Sequence, residues 1–318
     1  MIKKMIRKAF FENEWKCAYR VKIDDFKSNR NKFTILSIPK GYWAADPFLV
    51  KHNESIHMFF EYMDMKKRKA IIAEKKIFPI EEDEVHVVYE FPYHTSYPCI
   101  FSVNGEHYMV PETRANHSIE LLICKKWPDK WERVGSLLTG IDSADNTPLI
   151  ICEKTQIFIY KFLDNGNRQL LLGTIDLDKC SIDNINVLKE YNVNTGRPGG
   201  NILTKPDNTR IRVVQPDNNF YGEKIEFLNF SIDDKNYIEI KEKEITVEDV
   251  LVDDHNTYAG LHTYNCIDDM ECIDLLTKEH FNIFKPFKLV FQRLGIFGYN
   301  RYEQKGLMLN SENHKIAT

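Results

Sequence analysis

The sequence is short of the features that usually announce a function. Opposite charges nearly cancel: 43 Lys and Arg stand against 47 Asp and Glu, a formal charge of −4. That removes the electrostatic case for nucleic acid, whose phosphates call for a basic face. The seven cysteines (17, 99, 124, 152, 180, 266 and 272) are odd in number and lack Cys-x-x-Cys spacing. They read as reduced, mostly buried thiols, which predicts a cytoplasmic chain without a zinc site. The amino-terminal MIKKMIRKAFFENEW is basic but holds no apolar run of seven residues, so it does not read as an export signal. No segment approaches the length of a membrane span. His-x-x-x-His and paired carboxylate–histidine spacings are also missing, so neither a metal nor a cofactor is expected.

What is present is aromatic and periodic. Twenty Phe, 15 Tyr and 4 Trp are scattered along 318 residues, which suits a folded β protein with a sizeable core. Pro47, Pro98, Pro148 and Pro198 are separated by 51, 50 and 50 residues and head the segments ADPFLV, SYPCIF, NTPLII and RPGGNI. Proline is tolerated at the first position of a strand, where its missing N–H is not needed. The intervening SIHMFFEYM, EHYMVPET, IFIYKF and RIRVVQ are rich in β-branched and aromatic residues. A period near fifty predicts an all-β, five-bladed β-propeller over residues 30–276, its fifth unit starting near GLHTYN. Residues 1–29 and 277–318 are read as short helical extensions.

The repeat has internal geometry. Asn104-Gly105 is a strong hairpin signal and lies midway between Tyr97 and Glu112, while HNES lies midway between Asp46 and Glu61. Hairpins closed there bring Asp46, Tyr97, the Asp145–Thr147 stretch and Arg197 around a central channel. Glu61, Glu112 and Arg212 then stand one strand further out.

Each of these residues has a chemical and a plain structural reading. Converging carboxylates suit glycosyl chemistry, so Asp46, Glu112 and Asp145 are the catalytic candidates. Asp46 equally suits capping its own turn. Glu61 and Glu112 end apolar strands, where a carboxylate needs a partner, either as a raised-pKa acid or in an ion pair with Arg197 or Arg212. Those arginines present a planar fork to an anionic sugar or phosphate, or clamp the glutamates. His94 and His262 suit sugar hydroxyls or acid–base work, and otherwise structural hydrogen bonds. Trp43, Tyr97 and Tyr221 could stack on a sugar face or fill the space between blades. Gln215 and Asp217 read as hydroxyl-binding groups or as part of a turn.

WAADPFLV…FFEY, FPYHTSYPCIF, GEHYMVPET, RPGGNI, RVVQPDNNFYG and GLHTYN together resemble the amino-terminal propeller family of plant glucosamine inositolphosphorylceramide transferases, in order, over roughly residues 30 to 276. More remotely the chain is similar to the five-bladed propellers of glycoside hydrolase family 43. Those enzymes use an Asp before a proline in the first blade as base, a further Asp in the third, and a Glu as acid. Asp46 matches the first of these. Asp145 is the nearest candidate for the second, although ADNTP lacks an acid directly before its proline. The fourth blade offers TGRPGGN and no glutamate, which leaves Glu112 as an acid only by a different arrangement.

The resemblance implies a cytoplasmic, carbohydrate-active protein of surface polysaccharide or glycolipid biosynthesis that binds a sugar or sugar nucleotide and transfers a glycosyl group. The alternatives are a glycan-recognition module serving a separate glycosyltransferase or a lipid-linked glycan, and a glycoside hydrolase. The carboxy-terminal KEHFNIFKPFKLVFQRLGIFGYNRY is basic and amphipathic. It is expected to pack on the propeller, with peripheral contact to the inner face of the membrane as the competing role.

Overall fold

The computed structural model describes residues 11–22, 31–80, 83–151, 154–192, 195–217, 219–232, 236–278 and 280–281. Its strands form around tight turns. Asn104 and Gly105 take φ of 52° and 82°, the left-handed pair that closes a two-residue hairpin, and Asn53 does the same at φ 53°. Four such antiparallel sheets follow in order. Blade 1 comprises Tyr42–His52, Ser55–Asp64, Lys69–Phe78 and His86–Tyr89. Blade 2 comprises Ser96–Val103, Glu106–Glu112, Ser118–Lys126 and Lys130–Thr139. Blade 3 runs from Ser143–Ile151 to Ser181–Tyr191, and blade 4 from Leu203–Thr204 to Tyr237–Thr246.

Blade 5 departs from the linear reading. Its inner strand comes in two pieces, Tyr258–Gly260 and Tyr264–Ile267, beside Met270–Thr277. The next strand outward is Trp15–Val21, followed by Thr34–Ile35. Residues 15–21 are therefore a blade strand, which corrects their assignment to a terminal extension. Trp15 pairs with Leu276 and Val21 with Met270, so the start of the chain closes the ring against its end. A closed ring removes exposed strand edges that would otherwise template aggregation. The amphipathic segment beyond His280–Phe281 lies outside the described residues.

The core is divided among the blade interfaces. Val50, Phe59, Ile100 and Met109 fill the gap between blades 1 and 2. Ile119, Leu121, Ile157 and Ile159 fill that between blades 2 and 3. Phe158 and Tyr160 meet Phe230 between blades 3 and 4. Ile211 and Phe227 meet Phe33 and Ile273 between blades 4 and 5, and Cys17 and Leu36 meet Met58 and Phe60 at the closure. Phe48, Tyr97 and Cys99 form a small separate cluster from the inner strands. At about 25 cal/mol per Å² of apolar surface, blade-to-blade burial is what holds the ring.

The inner strands share one irregularity. Register shifts fall between Ala45 and Phe48, Ser96 and Cys99, and Ala144 and Thr147. In each, the residue after the last regular pair turns left-handed: Asp46 at φ 49°, Tyr97 at 46° and Asp145 at 51°. Non-glycine residues adopt such φ only where the surroundings impose it. These bulges aim one polar side chain per blade at the axis.

Candidate functional site

The three bulge residues and the loops of blades 4 and 5 form one buried polar cluster. Asp46 is 4% exposed. Its Oδ1 accepts the Thr263 hydroxyl at 2.8 Å and lies 3.3 Å from Nε2 of His262, and its Oδ2 accepts the Tyr97 N–H at 3.2 Å. Behind it, Asp274 accepts the N–H groups of His262 and Thr263 on Oδ1, both at 2.9 Å. Its Oδ2 accepts the Asp46 N–H at 3.0 Å and lies 2.7 Å from Nδ1 of His262. Burial alone would push the His262 imidazole down, but Asp274 and Asp46 carry it above its ordinary value. Both ring nitrogens of His262 thus face carboxylate oxygens, which favour its protonated form.

Asp46, His262 and Asp274 are also the group of metal-ligating side chains that draws together among the described residues, with donor atoms within 4.8 Å of one another. Both oxygens of each carboxylate already accept protein donors, and both ring nitrogens of His262 already face these carboxylates. The set fits an internal ion network better than a metal, so no step is assigned to one.

Asp145 faces the same funnel from blade 3. Its Oδ2 accepts Arg197 Nε at 2.5 Å and Gln215 Nε2 at 2.9 Å. Its Oδ1 is buried and meets no hydrogen-bond donor among the described residues. Arg197 also reaches Glu112 Oε2 at 3.5 Å. Burial lifts the Asp145 carboxyl to about 7 against the pull of Arg197, with Glu112 adding to the rise by charge and by a side-chain hydrogen bond. Asp46 is raised to about 6, by burial first, against the pull of His262, with Asp145 and Asp274 adding to it. Burial thus raises both carboxyl groups towards neutrality, against a different cation in each case.

Aromatic rings line the blade 5 side. Trp15 lies 4.1 Å from the His262 ring centre, Tyr221 lies 5.0 Å away edge-on, and the Arg197 guanidinium sits 5.4 Å over Tyr221. Tyr221 remains 38% exposed, so this wall reaches solvent. Gly222 makes it possible: a Cβ there would meet the Trp15 ring at 2.6 Å. Below the acids, Tyr97 closes the axis with no exposed surface. Its hydroxyl donates to the Gly200 carbonyl and accepts the Gly200 N–H, both at 2.9 Å, and meets the Thr147 hydroxyl at 3.0 Å.

The structure thus brings Asp46, Tyr97, Glu112, Asp145, Arg197, Gln215, Tyr221 and His262 together. Other sequence candidates are engaged elsewhere. Glu61 is buried on the second strand of blade 1, opposite Ala45, and pairs with His94 at 3.3 Å. Arg212 is enclosed between blades 3 and 4, bound to Gly196, Tyr191 and Glu239, which corrects its placement in the funnel. The cause is the proline alignment. Pro148 pairs with Ile157, beyond the blade 3 bulge, and Pro198 bridges Val214, so a fixed count from proline does not reach equivalent positions in each blade. Asp217 acts on Tyr160 and Arg168 at the blade 3 side. Trp43 is half-buried opposite Met63, with no described contact to the cluster.

Sequence reasoning missed Trp15, Thr263 and Asp274. Asp274 had a signal: an acid inside the apolar CIDLL run needs a buried partner. Trp15 had none, because its neighbours lie more than 200 residues away in the chain.

Comparison with known structures gives the same architecture. An α-L-arabinofuranosidase from Podospora anserina, solved with cellotriose, superimposes with a TM-score of 0.56 at 11% identity, covering 74% of this chain and 81% of that one. A thermostable family-43 glycoside hydrolase gives 0.53 at 12% identity over 75% and 90%. A GH62 α-L-arabinofuranosidase from Coprinopsis cinerea gives 0.53 at 10% identity over 85% and 97%. At these identities the likeness establishes the fold alone. In sequence, the glucosamine inositolphosphorylceramide transferase 1 of Arabidopsis thaliana is 26% identical over 102 residues, spanning 31% of this chain and 13% of that protein. The chain matches the family model described as glucosamine inositolphosphorylceramide transferase 1, N-terminal, over residues 33–271, and it belongs to that family.

Proposed function

We propose that the funnel binds a sugar and that the protein transfers a glycosyl group in the assembly of a surface polysaccharide or glycolipid. The observation that carries this reading is the pair of buried carboxyls at the inner-strand bulges, Asp46 beside His262 and Thr263 and Asp145 beside Arg197 and Gln215, both raised above the ordinary carboxylate range. Carboxyls raised in this way let one ionised and one protonated group coexist near neutral pH. That split suits glycosyl transfer. The ionised carboxylate takes the proton of the attacking hydroxyl as its oxygen bonds to the anomeric carbon, and the protonated one hands its proton to the departing oxygen. Arg197 and His262, whose protonated form Asp46 and Asp274 favour, steady the charges left behind. Tyr221 and Trp15 offer ring faces and edges to a sugar. The match to a plant glycosyltransferase domain supports sugar chemistry. The described cysteines are free thiols, which supports a reducing compartment such as the cytoplasm.

One observation favours a second reading, a recognition module without turnover. Both oxygens of Asp46 already accept protein donors, which restrains it as a base. The test is incubation of the pure protein with aryl glycosides and with sugar nucleotides, wild type beside Asp46→Asn and Asp145→Asn. Turnover lost in either variant supports the enzyme. Sugar binding without turnover supports the module, and absence of both binding and turnover in the wild type sinks the sugar site altogether.

A further inference from the structure

The inner strands run on past the Tyr97 plug, and at their far ends the channel opens again. A cavity of about 630 Å³ lies there, bounded by residues 100–102 of blade 2, 148–150 of blade 3, 201–206 of blade 4 and 264–268 of blade 5. These positions lie three to five residues beyond Tyr97 and Asp145 on the same strands. At about 3.3 Å per residue they are roughly 10–15 Å down the axis. With Tyr97 wholly buried between the two ends, the funnel and this cavity are separate compartments.

The two compartments differ in charge. The funnel is acidic. The far cavity is lined by four cations, Lys22, Lys205, Arg210 and Lys243, against two acids, Glu242 and Asp268. Both acids are engaged: Glu242 holds Lys205 with both oxygens, at 2.8 and 2.6 Å, and Asp268 holds Lys51, outside the cavity, at 2.6 Å. Burial pushes the Lys243 ammonium below its ordinary value, Glu271 pulls it back, and Lys22 adds like charge. A net positive cavity in a chain of formal charge −4 calls for an anion. The remaining wall is apolar, including Ile100, Phe101, Leu149 and Phe227.

We propose that this far cavity is a second ligand site, taking a small organic phosphate. Its phosphate is held by Lys22, Arg210 and the neighbouring lysines, and its body lies on Phe101, Leu149 and Phe227. The volume fits one small molecule, since such sites span about 300–1,000 Å³. Cations arriving from three separate stretches of chain favour the multiple charge and several acceptors of a phosphate over a single carboxylate. The site is independent of the funnel and of the activity proposed for it.

Isothermal titration calorimetry with UDP and with dodecyl phosphate, each against inorganic phosphate, tests the assignment and separates a nucleotide from a lipid-like ligand. At least one of the two binds the wild type more tightly than inorganic phosphate. The double variant Lys22→Gln/Arg210→Gln weakens that binding by roughly tenfold or more. Ile150→Glu, at a cavity position that is 49% exposed and so tolerant of change, weakens it as well. Asp46→Asn leaves it unaltered. The proposal is overturned if neither ligand exceeds inorganic phosphate, if the cavity variants keep wild-type affinity while folded by circular dichroism, or if Asp46→Asn abolishes binding.

Discussion

Asp145 is where the reasoning is most exposed to experiment, through the pH dependence of stability. Its folded value of about 7 stands well above the ordinary 3.8, so between those limits the folded chain holds a proton that the unfolded chain has released. Stability rises with pH only where the unfolded state binds more protons, and here the folded state does. The protein must therefore lose stability as pH rises from about 4 to about 7. From pH 5 to pH 7 the release of that proton amounts to about 2 kcal/mol. Asp46, raised to about 6, adds about 1 kcal/mol over the same range. His262 acts with the same sign, since its raised value gives stability that is present in acid and lost as pH climbs through it. At about 2 °C per kcal/mol for a chain of this length, the two carboxyls should lower the wild-type melting temperature by roughly 6 °C between pH 5 and pH 7. Asp145→Asn cannot ionise, so it should keep only about a third of that fall, whatever its absolute stability. Differential scanning calorimetry of both proteins across this range decides. A flat wild-type profile, or equal slopes for the two proteins, refutes the placement of Asp145 beside Glu112 in a water-poor funnel.

Arg197→Gln removes the charge that holds Asp145 down, so the upper end of the same pH-dependent fall should move above pH 7 by about one unit, read from the same calorimetric series. Tyr97→Phe strips the hydroxyl from Gly200 and Thr147 and leaves buried backbone groups unmet, which should cost about 1–3 kcal/mol in urea denaturation. Gly200→Ala should cost at least about 3 kcal/mol, because φ is 153° and a Cβ would stand 2.0 Å from the Tyr264 carbonyl. Gly105→Ala, left-handed but with open space around it, should cost only about 1 kcal/mol in the same assay.

The sequence by itself determined what is local and repeated. Asn104-Gly105 closes its hairpin through backbone preference alone, apolar runs such as HMFFEYM are strands in any context, and together they yield blades at a period near fifty. It also placed Asp46 and Tyr97 on the axis, because each stands directly before the proline of an inner strand. Blades 3 and 4 escaped this logic: Asp145 reaches the equivalent bulge with Asn146, not proline, following it, and Pro198 bridges Val214, so the same count from proline did not bring Arg212 to the position held by Glu61 and Glu112. Only the tertiary structure could decide which distant groups meet. His262 is raised above its ordinary value because Asp46 and Asp274 arrive from opposite ends of the chain. Asp145 is raised because ring closure buries it beside Glu112. Trp15 joins the site because the first strand completes the last blade. A left-handed bulge, a raised carboxyl and a closing strand depend on contacts between residues far apart in the chain, and no local pattern encodes them.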